Sequence, residues 1–264
     1  MEFTKMHGLG NDYIFLDCMG STPEDLGELA RRLSDRHFGV GGDGIVCVCP
    51  SDRADFKMRM FNADGSEGAM CGNGIRCFGK YVYDKGLTDR AHLSIETLAG
   101  EREISLMIRG GKAVGAAVNM GTPVVEPPVP LVIGGEGYTA VPVSMGNPHA
   151  VVEVEDPAAL DLRALGPAVE RDPAFRHRVN AEFVRVLGRD RLEMRVWERG
   201  SGETLACGTG ACASVSAMAS LGKLGREAVV CLAGGELEVR WDESSGHVFM
   251  TGPAVTVFHG ELDA

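Results

Sequence analysis

Two short motifs place a cysteine beside glycines at matching points of the chain. The segment EGAMCGNG at 67–74 is repeated as ETLACGTG at 203–210, so that Cys71 corresponds to Cys207. A segment of helical character follows each motif, so each cysteine is expected to lie at a helix N-terminus. Free backbone N–H groups and the positive end of the helix dipole meet there and favour a thiolate. A cysteine in that position can act as a base near neutral pH.

A symmetric pair of such cysteines favours proton transfer at carbon. One sulfur, as thiolate, removes a proton from a carbon clamped between the two, and the other sulfur, as thiol, returns a proton to the opposite face. The N–H groups at the two helix N-termini can hold a carboxylate and stabilise the developing enolate. This chemistry requires no metal or carbonyl cofactor, and the chain contains neither a dinucleotide-binding GxGxxG unit nor a phosphate-binding loop.

The offset that relates Cys71 to Cys207 relates other features of the chain as well. Gly10-Asn11 corresponds to Gly146-Asn147, and the alternating segment FKMRMF at 56–61 corresponds to LEMRVW at 192–197. This period is too long for a solenoid repeat and indicates two lobes of common ancestry. We expect one lobe at 1–118, which carries Cys71, and a second at 119–252, which carries Cys207.

Local patterns predict an α+β fold, rich in antiparallel strands. Helices are expected at 75–83 and 211–221, each ending at a glycine, and two further helices carry apolar residues at 26, 29, 33 and at 162, 165, 169. Further strands are expected at 103–109, 113–119, 228–232, 236–241, 247–250 and 254–259. The proline- and glycine-rich segment 120–143 is expected to cross between the lobes, with some strand at its end.

Composition limits the classes of partner. The chain has 264 residues, of which 44% are hydrophobic, and a net charge of −11, which argues against a general binder of nucleic acid or anionic membranes. It shows neither an apolar run long enough to span a membrane nor an N-terminal secretory signal, so we expect a cytoplasmic protein. Eight cysteines in a chain of this length are too sparse for a disulfide scaffold and are expected to be free thiols.

Several residues gain a possible role from their position relative to the two motifs. His149 could tune a nearby cysteine or be structural, and Arg199 could hold a second carboxylate or be a solvated charge. Asn11 and Asn147 could contact a ligand or occupy turns. For Cys77 and Cys212 a buried core thiol is the favoured interpretation, and Cys47 and Cys49 alternate within an apolar strand and are expected to pack rather than bind zinc.

The chain resembles the diaminopimelate epimerases over nearly its whole length. The resemblance rests on KMHGLGNDY at 5–13, FNADGSEGAMCGNGIRC at 61–77, SMGNPH at 144–149, ERGSGETLACGTGAC at 198–212 and MTGPA at 250–254. These enzymes interconvert LL- and meso-diaminopimelate without a cofactor. The resemblance implies two pseudo-symmetric lobes, each a β-rich unit wrapped around a central helix, with the segment 253–264 completing the first lobe. It also implies a homodimer.

The resemblance further assigns roles to individual residues. Cys71 and Cys207 match the two acid/base thiols, and His149 and Glu198 match residues that adjust the thiols. The positions that match substrate contacts are Asn11, Asn62, Gly72, Asn73, Asn147, Asn180, Glu198, Arg199, Gly208 and Thr209. Some relatives carry glutamine at the position of Gly44, so no side-chain contact is assigned there. Asn180 lies in RVNAEF, where relatives more often have a small residue in place of the glutamate.

Three other interpretations remain open on sequence grounds. A proline or hydroxyproline racemase would use the same paired cysteines on a similar fold, although the segments GLGND, ADGSE and ERGSGET favour the dicarboxylate enzyme. A noncatalytic amino-acid-binding protein would explain two lobes without needing either thiol. A phenazine-biosynthesis-type isomerase would share the fold but would not need both cysteines.

Overall fold

The computed structural model describes residues 1–262 and divides the chain into two compact units. The first unit comprises Met1–Val118 together with the segment from Gly252 onward, and the second comprises Asn119–Thr251. The last two residues of the expected C-terminal segment, 253–264, lie outside the described residues. No helix within residues 1–262 has both the length and the apolar composition needed to span a bilayer.

Strands predominate in both units, as the predicted α+β class requires. The first unit contains β1 (Glu2–Gly8), β2 (Asn11–Asp17), α1 (Leu26–Ser34), β3 (Gly44–Cys49), β4 (Phe56–Asn62), β5 (Glu67–Gly68), α2 (Gly72–Asp84), β6 (His92–Thr97), β7 (Gly100–Arg109) and β8 (Lys112–Asn119). The chain continues with β9 (Val124–Val125), β10 (Val129–Ile133), β11 (Glu136–Ser144), β12 (Pro148–Glu153), a short 3-10 helix (Pro157–Ala159), α3 (Leu162–Glu170), β13 (Asn180–Val186), β14 (Arg191–Glu198), β15 (Gly202–Thr204), α4 (Gly208–Ser220), β16 (Glu227–Leu232), β17 (Gly235–Trp241) and β18 (Val248–Pro253). It ends with β19 (Val255–Glu261).

The duplicated sequence produces duplicated elements. Helices α1 and α3, and likewise α2 and α4, begin and end at the same offset that separates Cys71 from Cys207. In the first unit the strands pair in the order β19-β1-β2-β3-β4-β6-β7-β8, and in the second in the order β10-β11-β12-β13-β14-β16-β17-β18. The matching pairs are parallel or antiparallel in the same places. The two units are therefore copies of one architecture.

One strand position of this architecture is filled from a different part of the chain in each unit. In the second unit β10 directly precedes β11 and pairs with it, Val129 facing Ala140. In the first unit the equivalent partner of β1 is β19, from the far end of the chain, with Lys5 facing Phe258. The first unit is therefore completed only by the last strand of the protein.

The sheet of the first unit is covered by a helix on each face. Residues Ile45 and Cys47 of β3 pack in one apolar cluster with Leu29 and Leu33 of α1. On the other face α2 contributes Tyr81, whose ring stacks on Phe15 of β2 with centroids 5.8 Å apart. Burial on both faces explains why every residue of β3 is buried, since both alternating sets of side chains meet a helix.

The second unit repeats this arrangement with smaller residues around its central helix. Ala181 and Phe183 of β13 pack with Leu162 and Val169 of α3. Helix α4, GTGACASVSAMAS, carries no charged residue and is buried along most of its length. A helix that is apolar or small on every side must be enclosed by other elements. This central position fixes the N-terminus of α4, where Cys207 lies.

Segment 120–143 was expected to be a crossing between the lobes with some strand at its end, and it contains more strand than expected. All of it lies in the second unit, and it forms β9, β10 and most of β11. Prolines suggested a linker because they cannot donate to a strand ladder, yet Pro130 and Pro142 lie within β10 and β11. The apolar residues between the prolines, such as Leu131 and Val141, are buried and stabilise these strands.

Candidate active site

Cys71 is the N-cap residue of α2. Its backbone is extended, with φ −129° and ψ 121°, and the Gly74 N–H donates to its Sγ at 3.3 Å. The thiol in turn donates to Oδ1 of Asn11 at 3.2 Å. Cys71 is partly exposed, whereas the helix residues that follow it are buried. The sulfur is therefore held at the positive end of a buried helix and remains accessible.

Asn73 and Arg76 hold this end of α2 in place. The Asn73 amide donates to Oδ1 of Asn11 at 3.4 Å, and its own Oδ1 accepts from the Arg76 guanidinium at 3.0 Å. Arg76 is fully buried and also donates to the carbonyl oxygen of Pro253 at 3.1 Å. The C-terminal segment thus supports the Cys71 group as well as the sheet.

Tyr13 is a second titratable group beside Cys71. It lies on β2 and is buried, and burial raises the pKa of its hydroxyl well above the ordinary value. The negative charge of a Cys71 thiolate raises the pKa of Tyr13 further. Tyr13 therefore remains protonated beside this sulfur.

Cys207 repeats the N-cap geometry at α4. Its backbone has φ −121° and ψ 111°, and the Gly210 N–H donates to its Sγ at 3.4 Å. The hydroxyl of Thr209 lies 3.5 Å from the same sulfur. Cys207 is only 6% exposed, so it is more enclosed than Cys71.

Carboxylates surround Cys207. Burial raises the pKa of its thiol well above the ordinary value, and the charges of Glu198 and Glu182 raise that pKa further. Burial also raises the pKa of Glu198, although Thr204 Oγ1 donates to its Oε1 at 2.5 Å. Cys207 is therefore a neutral thiol at neutral pH in this structure.

His149 links this region to a buried glutamate. Its Nδ1 lies 2.7 Å from Oε1 of Glu182, and its Nε2 lies 3.1 Å from Oδ1 of Asn147. The Asn147 amide donates to Thr209 Oγ1 at 3.3 Å. The structure thus brings Asn147, His149 and Thr209 together beside Cys207.

Sequence reasoning missed Glu182. It is fully buried on β13, and Ala181 and Phe183 on either side of it belong to the apolar cluster with α3. A single acidic residue inside the run Val179–Val184 was the available signal, because a charge is almost never fully buried unless it is paired. Its partner could not be found from the sequence, since His149 lies on a different strand.

The remaining candidate residues lie at strand and helix ends. Gly72 and Gly208 open the two helices. Asn62 ends β4 and donates to Ser66 Oγ at 3.0 Å, whereas Asn180 begins β13 and its Oδ1 accepts from the Arg199 N–H at 2.8 Å. The Arg199 side chain is exposed and reaches the carbonyl oxygen of Arg178 at 3.5 Å.

Gly44 is required by the backbone. A Cβ at this position would overlap the carbonyl oxygen of Phe61 on the neighbouring strand. No side chain fits there without moving β4.

The other thiols pack in the interior or lie apart from the two helix ends. Cys47 and Cys49 belong to the cluster under α1, and Cys77 and Cys212 are buried within α2 and α4. Within residues 1–262, no group of three or more potential ligands is placed to hold a metal ion.

Similarity to known proteins decides the family. The sequence profile described as "Diaminopimelate epimerase" matches residues 3–126 and 141–257. The chain belongs to the diaminopimelate epimerase family. A diaminopimelate epimerase of Acetivibrio thermocellus is 52% identical over 276 aligned positions that cover 100% of this chain and 99% of that protein. One of Methanococcus maripaludis strain S2 is 50% identical, with 100% of both chains covered.

Solved structures share the fold of this diaminopimelate epimerase family member at low sequence identity. A phenazine biosynthesis protein of the PhzF family from Bacillus anthracis has a TM-score of 0.76 and 19% identity, covering 100% of this chain and 99% of its own. A probable proline racemase from Agrobacterium radiobacter K84 has a TM-score of 0.74 and 16% identity, covering 99% and 92%. These likenesses confirm the predicted two-lobed α+β fold.

Proposed function

We propose that this protein is a diaminopimelate epimerase that interconverts LL- and meso-diaminopimelate by a thiolate/thiol mechanism without a cofactor. Membership of the family supports the reaction. The observation that carries the mechanism is the repeated N-cap geometry, in which Cys71 and Cys207 each accept a backbone N–H from the first turn of a helix.

In the proposed mechanism the two sulfurs have opposite roles in each direction of the reaction. Cys207 starts as the thiol, in keeping with its raised pKa. Cys71 then removes the α-proton as a thiolate, and the S–H proton of Cys207 passes to the other face of the carbon. Afterwards Cys71 is the thiol and Cys207 the thiolate, and the reverse reaction uses them in exchanged roles.

Backbone N–H groups provide the electrostatic part of the proposal. An α-proton of an amino acid is a very weak acid, so the charge that develops on the carboxylate must be stabilised. We assign this task to the helix N-termini at Gly72 and Asn73 and at Gly208 and Thr209. The absence of side chains at both glycines lets the carboxylate approach the backbone.

Side chains around these helix ends are assigned to the rest of the substrate. The exposed guanidinium of Arg199 is suited to the distal carboxylate, since it can bind a carboxylate through two N–H groups. Glu198 is suited to the substrate ammonium. We assign further polar contacts to the amides of Asn11, Asn62, Asn147 and Asn180.

Assembly and location form part of the same proposal. We infer a homodimer in the cytoplasm, engaged in lysine and peptidoglycan precursor synthesis. The resemblance of the motifs to the epimerase family supports this inference.

The decisive experiment is incubation of the purified protein in deuterated water with LL-diaminopimelate or, separately, L-proline. We expect meso-diaminopimelate to form and to carry deuterium at the inverted α-carbon, because the proton that returns comes from solvent-exchanged Cys207. Early in the reaction the remaining LL substrate should carry little deuterium. The sulfur that removes the α-proton is not the sulfur that delivers deuterium, so deuterium enters on the face that gives the meso product.

Two outcomes would redirect the assignment. Inversion of L-proline but not of LL-diaminopimelate would identify a proline racemase. Binding of either amino acid with no deuterium incorporation would identify a noncatalytic binding protein. A Cys71→Ser/Cys207→Ser double variant is the control for adventitious exchange.

A further inference from the structure

A continuous path of hydrogen bonds runs from a buried carboxylate to the sulfur of Cys207. Glu182 Oε1 lies 2.7 Å from His149 Nδ1, and His149 Nε2 lies 3.1 Å from Asn147 Oδ1. Asn147 Nδ2 lies 3.3 Å from Thr209 Oγ1, which lies 3.5 Å from Cys207 Sγ. Every member belongs to the second unit.

The acceptor at the start of this path decides which atom donates at each later contact. The Glu182 carboxylate only accepts, so His149 Nδ1 must donate to it. In the orientation that the structure gives the Asn147 amide, Oδ1 faces the ring and only accepts, so His149 Nε2 donates as well. Because Asn147 Nδ2 then donates to Thr209 Oγ1, the Thr209 hydroxyl hydrogen is free to point at Cys207 Sγ.

Loss of the hydrogen on Nε2 reverses this order. Nδ1 keeps its hydrogen toward Glu182, so Nε2 becomes an acceptor and the Asn147 amide must turn to donate to it. Asn147 Oδ1 then faces Thr209 and takes the hydrogen bond of the hydroxyl. The sulfur loses that donor.

We propose that Glu182 is a positioning residue for Cys207, acting through His149 and Asn147 to keep the Thr209 hydroxyl donating to the sulfur. The inference rests on the proposed epimerase function, in which Cys207 is a thiolate for part of each cycle. When Cys207 protonates carbon, its S–H bond breaks, a C–H bond forms and the electron pair stays on sulfur. The Thr209 hydroxyl then stabilises this thiolate without transferring its own proton.

The surroundings of Cys207 explain why such support is needed. Burial and the charges of Glu198 and Glu182 disfavour its thiolate. Glu198 from β14 and Glu182 from β13 are the titratable groups whose charges act on the sulfur, and His149 from β12 lies against Glu182. Helix α4 itself carries no charged residue. Glu182 therefore acts on this sulfur in two opposed ways, by its charge and through the hydrogen-bond donors that it orients.

The first unit lacks this pair. The offset between the two copies places Tyr13 where the second unit has His149, and Val46 where it has Glu182. Cys71 is also less enclosed than Cys207. The buried His149–Glu182 pair therefore lies only in the unit whose sulfur burial and carboxylates disfavour as a thiolate.

The test measures the pH midpoint of iodoacetamide alkylation at Cys207 in the ligand-free protein, read by site-resolved mass spectrometry. Glu182→Gln should move this midpoint upward, slowing alkylation at a fixed pH below the midpoint by about tenfold, the worth of one hydrogen bond to a charged group. Direct charge repulsion alone predicts the opposite direction, since removal of a nearby carboxylate favours a thiolate. The midpoint at Cys71 should stay unchanged and serves as the internal reference.

Thr209 variants test the last step of the path and do not depend on Glu182→Gln folding well. Thr209→Val should raise the Cys207 midpoint, whereas Thr209→Ser keeps a hydroxyl and should keep the midpoint. The Glu182→Gln/Thr209→Val double variant should shift no further than Thr209→Val alone, because both changes remove the same donor. Glu193→Gln, a half-exposed carboxylate on β14, is the matched control and should have no effect.

Results of two kinds would overturn the inference. An unchanged or lowered Cys207 midpoint in Glu182→Gln is one, and additive shifts in the double variant are the other. The alkylation readout needs no turnover, so it is separate from the proposed function. If diaminopimelate is a substrate, Glu182→Gln should also lower kcat by about tenfold with KM little changed.

Discussion

At the scale of single residues, the two cysteines share backbone geometry and differ in surroundings. Both are N-cap residues whose sulfur accepts an N–H from the glycine that closes the motif. Cys71 is partly exposed beside an asparagine amide, whereas Cys207 is enclosed beside carboxylates. The duplicated backbone therefore presents two thiols with unequal tendencies to hold a proton.

Cys71→Ser and Cys207→Ser should each lower kcat for LL-diaminopimelate by about 10² to 10⁴, the usual contribution of a positioned acid or base. A serine hydroxyl holds its proton too tightly to replace a thiolate. The measurement is formation of deuterated meso product. Cys231→Ser, which changes a half-buried thiol on β16, is the control and should retain activity. Normal turnover in either catalytic variant would refute the two-thiol assignment.

Glu198→Gln should lower the pKa of Cys207, because removal of a neighbouring negative charge favours the thiolate. The alkylation midpoint at Cys207 should therefore move to lower pH, opposite in sign to the shift expected for Glu182→Gln. Site-resolved alkylation across pH measures it. Glu203→Gln, at an exposed carboxylate paired with Arg195, provides the comparison and should leave the midpoint in place. An upward shift in Glu198→Gln would contradict the electrostatic account.

At the scale of elements, the first turn of each central helix decides where the capping sulfur points. Helices were predicted at 75–83 and 211–221, whereas the structure starts them at Gly72 and Gly208. Glycines have low helix propensity, which hid the first turn in the sequence. The enclosed position of α2 and α4 overrides that propensity and places each cysteine at the cap.

Capping aspartates occur at repeat-related positions of the outer helices. Asp25 accepts from the Glu28 N–H at 2.9 Å at the start of α1, and Asp161 accepts from the Arg163 N–H at 3.1 Å at the start of α3. Asp25→Ala and Asp161→Ala should each lower the free energy of unfolding by about 1 kcal/mol. Urea unfolding measures the change, with Asp→Ser at the same positions as controls that retain a cap. Equal losses in the alanine and serine variants would show that capping is not the cause.

At the scale of the whole molecule, the last strand of the chain returns to the unit that the first strand begins. β19 pairs with β1 in the first unit, and Phe258 meets Phe3 edge to face at 5.9 Å. Arg76 of α2 also donates to Pro253. The fold of the first unit, and the support of its cysteine, therefore depend on the last residues of the chain.

A chain truncated after Thr251 should lose the structure of the first unit and with it epimerase activity. β1 would lose β19 and become an edge strand, and the buried Arg76 would lose its hydrogen bond to the Pro253 carbonyl. Melting temperature and near-UV circular dichroism measure the loss. Addition of a synthetic peptide spanning 252–262 should restore part of the signal, and a scrambled peptide of the same composition should not. Full stability without the peptide would refute this dependence.

The sequence by itself determined the two cysteines, the helix that follows each, the duplication and the α+β class. These features depend on local backbone preference and on a repeated pattern, and both can be read along the chain. Pro130 and Pro142 misled the prediction for their segment, because proline reports a missing donor and not whether the flanking residues are buried.

Only the tertiary structure decided which distant residues meet. The pairing of His149 with Glu182, the completion of β1 by β19, and the enclosure of Cys207 by two carboxylates all join residues on separate elements. Burial and hydrogen bonding depend on such contacts, which a one-dimensional pattern does not encode. The sequence placed a thiol at each of two helix ends, and packing made those two thiols chemically different.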